Sequence, residues 1–325
     1  RVPGISATKA EEISKSFREQ FAMRSLMMLC REFLSVAMQQ KVFAKWGASS
    51  VERIKENPYR LCEEFDGIGF ERADRFAQTL GVTADSELRL RSGIGYVLNE
   101  SARNGGHSFL PWNRLVPLAA QTLGATQDKV STTLDELVLT GKLSRVKVAN
   151  LDAVYDSASL RCEMEIEEKL DLLDRLCPRI EAGDVERFIT RIELEEDKKY
   201  HALQRKAISD AINSGVMVLT GGPGTGKTTV IRAVIRVYES MDMRVALAAP
   251  TGRAAKRMSE ATQTEAKTIH RLLETDFTDG KRDNFKKNEN DLLEEDVIII
   301  DEASMIDMFL MNSLLKAIKP GARLM

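Results

Sequence analysis

From about residue 198 the hydrophobic period switches, and that switch limits what the chain can fold into more than any other feature. Short apolar runs, VMVLT at 216–220, RVALAAP at 244–250 and DVIIID at 296–301, alternate with helical stretches, TTVIRAVIRVYES at 228–240, GRAAKRMSEA at 252–261 and MFLMNSLLKAI at 308–318. Strands this apolar need cover on both faces, so the pattern predicts an α/β domain over 198–325 built on a mostly parallel sheet. Inside it GKRDNFKKNENDLLEED, 280–296, is polar and is expected to be an exposed loop.

The preceding two hundred residues obey a different period. Over 1–105 apolar residues recur three and four apart (Phe17, Phe21; Leu26, Leu29, Phe33) between glycine-containing turns, which predicts small helices joined by tight hairpins. Over 106–160 two helical segments, VPLAAQTLG and KVSTTLDELVLTG, lead into alternating LSRVKV and DAVYD, the order of a winged-helix-like unit. A helical connector, with EMEIEEKLDLLDRL at its centre, fills 161–197. The expected fold class is thus a mainly α N-terminal region followed by a parallel α/β domain.

Composition narrows the partners. No apolar run approaches the roughly 18 residues of a membrane span and RVPGISATKAEE lacks a signal-peptide core, so no membrane contact and a cytoplasmic location are expected. The four cysteines, Cys30, Cys62, Cys162 and Cys177, have no CxxC spacing and are expected as packed free thiols rather than a zinc site. Charge is uneven. Residues 1–61 hold 11 Lys/Arg against 6 Asp/Glu, a stretch able to meet a polyanion; 151–200 hold 8 against 15, a solvated acidic face.

GGPGTGKT, 221–228, fits G-x-x-x-x-G-K-[ST] and lies between an apolar run and an amphipathic helix. Polyphosphate oxygens must be met by backbone N–H groups at close range, so Gly222, Gly224 and Gly226 keep the loop bare, with Pro223, Thr225 and Thr229 completing the cradle. Lys227 neutralises β- and γ-phosphate charge and Thr228 offers a hydroxyl to Mg²⁺. DVIIIDEAS, 296–304, ends an apolar strand in two carboxylates, which need a cation beside them: Asp301 is assigned to Mg²⁺ and Glu302 to orienting and deprotonating a water. ATP and Mg²⁺ are therefore the expected cofactors. No NKxD string marks a GTPase and no LSGGQ marks an ATP cassette.

After the next strand, APTGRAAKRM delivers Thr251 and Gly252 to the first turn of a basic helix carrying Arg253, Lys256 and Arg257, a pocket suited to a nucleic-acid phosphate. Taken in order, GGPGTGKT, APTGRAAKRM, TIHRLL at 268–273 and IIIDEASM resemble motifs I, Ia, Ic and II of superfamily 1 DNA helicases, most closely the RecD-like group. The resemblance implies a RecA-like motor domain, gives Gln204 in YHALQRKAI the adenine edge, and places Thr251, Arg253, Thr268 and His270 along a DNA path.

DGIGFERADRFAQTLG, 66–81, follows the helix-hairpin-helix pattern: Gly67 and Gly69 flank Ile68 and expose N–H groups to a DNA phosphate, while Ala73 permits close packing. VPGISATKAEEI, 2–13, resembles a second copy and LSVAMQQKVFAKWG, 34–47, a third. With NPYRL and GGHSFLP these are similar to the N-terminal region of longer RecD-like helicases, although hairpins of this kind also serve as packing or protein-contact modules. The chain starts at Arg and stops at KPGARLM, so the resemblance implies a fragment without the second motor domain and its arginine finger, a residue worth roughly 10³–10⁵ in rate. Such a fragment is expected to bind ATP·Mg weakly and not to unwind DNA. The expected partners are single-stranded DNA and its junctions with duplex, with nuclease-complex subunits as further candidates, and the chain is expected to be monomeric. A DNA-binding scaffold with a switch-type ATPase, and the motor part of a conjugative relaxase or nuclease complex, are the alternatives.

Overall fold

A computed structural model describes residues 7–222, 224–275 and 284–325, which form two compact units, Arg1–Leu160 and Arg161–Met325. In the N-terminal unit α1 (Ala7–Cys30), α2 (Val36–Trp46), α3 (Ser50–Glu56), α4 (Arg60–Glu64) and α5 (Phe70–Thr79) precede the longer α6 (Glu87–Gly105). Then come β1 (Leu110–Pro111), α7 (Trp112–Leu123), α8 (Gln127–Leu139), β2 (Leu143–Val148) and β3 (Leu151–Asp156). The three strands form an antiparallel sheet in the order β1-β3-β2, and the hairpin packs beside α6, α7 and α8. On α8 the buried residues Val130, Thr133, Leu134 and Leu137 repeat at three and four, the stripe that drives it onto the core.

One expectation about this unit needs correction. The first helix is a single one of 24 residues, not several short ones, and Phe17 and Phe21 on it are 68% and 64% exposed. The third hairpin candidate, 34–47, begins in the turn at 31–35 that links α1 to α2, where the Ser35 hydroxyl caps α2 by accepting from the Met38 N–H at 3.3 Å. Of the second candidate, residues 2–6 lie outside the described residues; Ala7 onward is α1. The hairpin at 66–81 does form. Gly67 takes φ 90°, a left-handed value that glycine adopts without strain, and Gly69 leads into α5. Ala73 and Phe76 are buried beneath it.

A buried polar knot holds that hairpin. The Arg89 guanidinium donates to both Asp74 oxygens at 2.9 and 3.1 Å and to the carbonyls of Ala84 and Leu123, while Tyr59 Oη donates to Asp74 at 2.7 Å. One ion pair therefore joins α4, α5, α6 and the end of α7.

The second unit adds α9 (Ser157–Leu176), which begins at the end of the first, then α10 (Ala182–Glu195), α11 (Ala202–Asn213), α12 (Lys227–Ser240), β4 (Val245–Ala249) and α13 (Gly252–Thr262). After these come β5 (Ala266–Thr268), α14 (Ile269–Leu272), β6 (Val297–Ile300), α15 (Met308–Ala317) and β7 (Arg323–Leu324). Every pairing in its sheet is parallel, in the order β5-β4-β6-β7. Residues Val230, Ala233, Val234, Val237 and Tyr238 form the buried stripe of α12, and each large one contributes about 1.5–3 kcal/mol of burial.

The run VMVLT does not become the full strand its sequence suggests. Only Val216 makes a parallel bridge, to Leu324, with Met217 N–H donating to the Leu324 carbonyl at 2.9 Å. The polar stretch 280–296 is not wholly exposed either. Residues 280–283 lie outside the described residues, but Phe285 and Leu293 are buried and pin the remainder to the core beside β6 and α15.

Candidate nucleotide site

Because the sheet is parallel, the carboxyl ends of β4, β5, β6 and the Val216 segment all open on one edge, where such sheets bind ligands. The loop 221–226 leaves that edge and enters α12. Gly226 (φ 87°) is the N-cap and Gly224 takes φ 78°, both left-handed. Thr225 Oγ1 donates to the Gly222 carbonyl at 2.9 Å and curls the loop; a Cβ on Gly221 would sit 2.6 Å from that oxygen. A Cβ on Gly222 or Gly224 would meet nothing within 4 Å, so the bare side of the loop faces open space. Lys227 and Thr228, the first two residues of α12, are exposed, and Thr229 is half-buried. The leading N–H groups of a helix have no acceptor within it, so these residues present donors to that space. Pro223 lies outside the described residues.

Asp301 and Glu302 follow β6 at the same edge. The Asp301 N–H donates to the Ala248 carbonyl at 3.0 Å, and one Asp301 oxygen accepts from the Glu302 N–H at 3.0 Å. Glu302 takes φ 55°, the left-handed region an L-residue enters only with strain. Among the described residues Lys227, Asp301 and Glu302 have no ion-pair partner, leaving the cation and both carboxylates available.

Gln204 lies against this loop. Its Oε1 accepts from the His201 N–H at 3.1 Å as part of a capping box on α11, and a Cβ on Gly226 would overlap its Nε2. That bond fixes which end of the amide points where. Sequence reasoning missed what holds it: Glu193 of α10 accepts from the Tyr200 N–H at 2.8 Å and pairs with Arg205, so one carboxylate braces the residues on both sides of Gln204. Arg205 holds that carboxyl below the ordinary glutamate range, against the upward push of burial. No local string signals such a brace, since its members lie on separate helices.

The match to known proteins follows this geometry. Residues 204–325 match a family model described as an AAA domain, and 18–109 one described as the ATP-dependent RecD2 DNA helicase HHH domain. The ATP-dependent RecD2 DNA helicase of Deinococcus radiodurans is 30% identical over 335 aligned positions, covering 100% of this chain and 46% of that protein. The RecBCD enzyme subunit RecD of Mycobacterium tuberculosis is 35% identical over 292 positions, 82% of this chain and 45% of that protein. The chain belongs to the RecD-like helicases. It spans about half the length of these curated relatives.

In the RecD-like chain the residues assigned to DNA divide in two. Thr251 and Thr268 stand at the same sheet edge, at the ends of β4 and β5, where Ala249 pairs with Thr268. Their hydroxyls accept from the N–H groups of Ala254 and Arg271, both at 3.2 Å, so each primarily caps a helix, and Gly252 opens α13 beside the first. Arg253 is exposed; His270 is half-buried with its ring edge-on to Phe285 at 5.7 Å. Gly67 and Gly69 belong to the other unit, in the hairpin. Among the described residues no group of acids, cysteines and histidines forms a metal cluster, and no helix is long and apolar enough to cross a membrane. All four cysteines are free, and burial pushes the Cys30 thiol up to about 12.

Proposed function

We propose that the RecD-like chain is the N-terminal region and first motor domain of an ATP-dependent DNA helicase, coupling hydrolysis to movement on single-stranded DNA in the cytoplasm. The observation that carries this reading is the convergence, on one carboxyl edge of a parallel sheet, of a bare glycine loop, two unpaired carboxylates and two capped helix starts. The residues fit ATP and Mg²⁺: the space above Gly222 and Gly224 is open, Lys227 is unpaired, and the Thr228 hydroxyl and Asp301 carboxylate are the hard oxygen donors that Mg²⁺ prefers. Bound there, Mg²⁺ supplies charge neutralisation at the phosphates.

The chain's own residues supply the remainder. Lys227 and the N–H groups opening α12 bind the phosphates, and Gln204 presents its amide to the base. Glu302 accepts a proton from the attacking water. The pocket of Thr251, Gly252 and Arg253, with Thr268 and His270 beyond it, takes the phosphates of a single strand, so that closure against a second motor domain would advance it. Relatives named as a RecBCD enzyme subunit support a partnership with nuclease-complex subunits.

The test is ATP turnover and strand translocation by the full-length protein with and without single-stranded DNA. DNA-stimulated turnover with directional movement is expected. Turnover without translocation would favour the other reading, a DNA-binding scaffold whose ATPase is a switch.

A further inference from the structure

Gln204 stands on a turn that apolar packing does not hold. Between buried Tyr200 and buried Ile208 no residue is buried: His201, Ala202 and Leu203 are exposed, Leu203 at 72%, and Gln204 and Arg205 are half-buried. A helix start without an apolar face on the core depends on polar contacts for its place.

Glu193 supplies those contacts from a firm base. Buried Val185, Ile189 and Ile192 anchor α10 in the core that it shares with α11 and α12. The Glu193 side chain is 12% exposed, and its carboxylate takes the Tyr200 N–H on one side of Gln204 and the Arg205 guanidinium on the other. Its backbone carbonyl accepts from the Lys198 N–H at 3.0 Å, closing the link between α10 and α11. Arg205 also pairs with Glu186, so both of its ion pairs return to α10.

The consequence reaches the amide. Gln204 Oε1 accepts from the His201 N–H at 3.1 Å, and His201 follows directly on the braced Tyr200. With Oε1 so engaged, Nε2 lies toward Gly226 of the phosphate loop, and among the described residues it has no acceptor. One end of the amide therefore accepts and the other donates, each in a set place. Adenine offers its N6 amino group and N7 side by side, a donor and an acceptor, whereas guanine sets two acceptors there, O6 and N7. An amide free to turn over would give either base one good contact. An amide held by His201 matches adenine at both ends and sets Oε1 against the O6 of guanine.

We propose that Glu193 is a positioning residue for nucleobase selection: by holding Tyr200 and Arg205 it keeps the His201 N–H on Oε1, and so holds the Gln204 amide in the orientation that takes adenine and turns guanine away. The proposal rests on the reading of Gln204 as the contact to the base and adds what sets the selectivity of that contact.

The experiment measures kcat/KM of the full-length protein for ATP and for GTP with single-stranded DNA present, and follows their ratio. A loss of folded enzyme lowers both values alike and cancels in the ratio, so a merely structural role for Glu193 would not move it. Gln204→Ala should lower the ratio about 10-fold and Glu193→Ala about 5-fold, while the double variant falls no further than Gln204→Ala alone. Glu196→Gln is the control. Glu196, the C-cap of α10, accepts from Tyr200 Oη and pairs with Arg236, both at 3.2 Å, and does not touch the residues flanking the amide through their backbone or guanidinium. It should leave the ratio within about 2-fold of wild type. If Glu193→Ala lowers both kcat/KM values and keeps the ratio while Gln204→Ala collapses it, Glu193 is only structural and the reading of Gln204 stands without it. An additive double variant, or an equal fall in Glu196→Gln, would overturn the proposal in the same way. If Gln204→Ala itself leaves the ratio unchanged, the base contact falls and the proposal with it.

Discussion

The turn at Gly67–Gly69 and the loop at Gly221–Gly226 share a backbone form and have unlike supports. Both expose glycine-framed backbone in front of a helix, and both include a left-handed glycine. The loop hangs from the carboxyl edge of a parallel sheet, so topology alone puts it beside Asp301 and Glu302. The turn has no sheet beneath it and depends on one buried ion pair, Asp74 with Arg89, to fix four helices around it. A site placed by topology tolerates change in any one neighbour, whereas a site placed by a single polar knot does not.

The sharpest way to break that comparison is to disable each site at its own centre. Lys227→Ala should remove the phosphate counter-charge and lower ATP affinity about 100-fold or more, read by fluorescent-nucleotide titration, with melting unchanged. Glu302→Gln should leave that affinity intact yet reduce turnover of the full-length protein by about 10²–10⁴, measured as phosphate release. Full activity in both would end the site assignment.

Next in size is the knot. Asp74→Asn leaves a buried guanidinium without its counter-charge and should cost about 3–5 kcal/mol, seen as early melting of the N-terminal unit while nucleotide binding by the second unit persists. Loss of nucleotide binding in the same variant would show that the two supports are not separate.

Acid should also weaken the N-terminal unit. At Glu64 burial pushes the carboxyl up, but hydrogen bonds from Lys45, Trp46 and Arg60 outweigh it and hold it down at about 2. A depressed pKa stabilises above the unfolded value near 4.5, and that stability is lost as pH falls toward 2. Unit 1 should therefore weaken by up to about 3 kcal/mol across that window, and Glu64→Gln should flatten the dependence, followed by near-ultraviolet circular dichroism.

The smallest effect separates the two hairpin glycines. Gly67→Ala must adopt φ 90° and should cost about 1–2 kcal/mol, whereas Gly69→Ala, at φ −77° with open space around its Cβ, should melt like the wild type. Equal melting shifts would mean that the turn is not held as described.

Local strings made part of this structure legible. The glycine loop, the acidic strand tip and the hairpin each occupy a few consecutive residues, and the period switch near 198 announced the sheet. Periodicity failed where it reports shape but not surroundings: the Phe17–Phe21 spacing predicts a helix, and a helix forms, but nothing in the pattern says that its apolar face stays exposed. VMVLT looks like any buried strand, yet its partner, Leu324, lies over a hundred residues away and is invisible to local pattern. The Glu193 brace and the Asp74–Arg89 knot were unreadable for the same reason, since each joins residues that are neighbours only after folding.

Glu302 is held in a left-handed backbone that its side chain disfavours by about 1–2 kcal/mol. Asparagine tolerates that conformation better, so Asn at 302 would make a tougher protein and, on the proposed role of the carboxylate, an inert one. Any directed-evolution campaign that rewards heat resistance alone would be drawn to this position, and a laboratory wanting both durability and turnover should keep it out of the library.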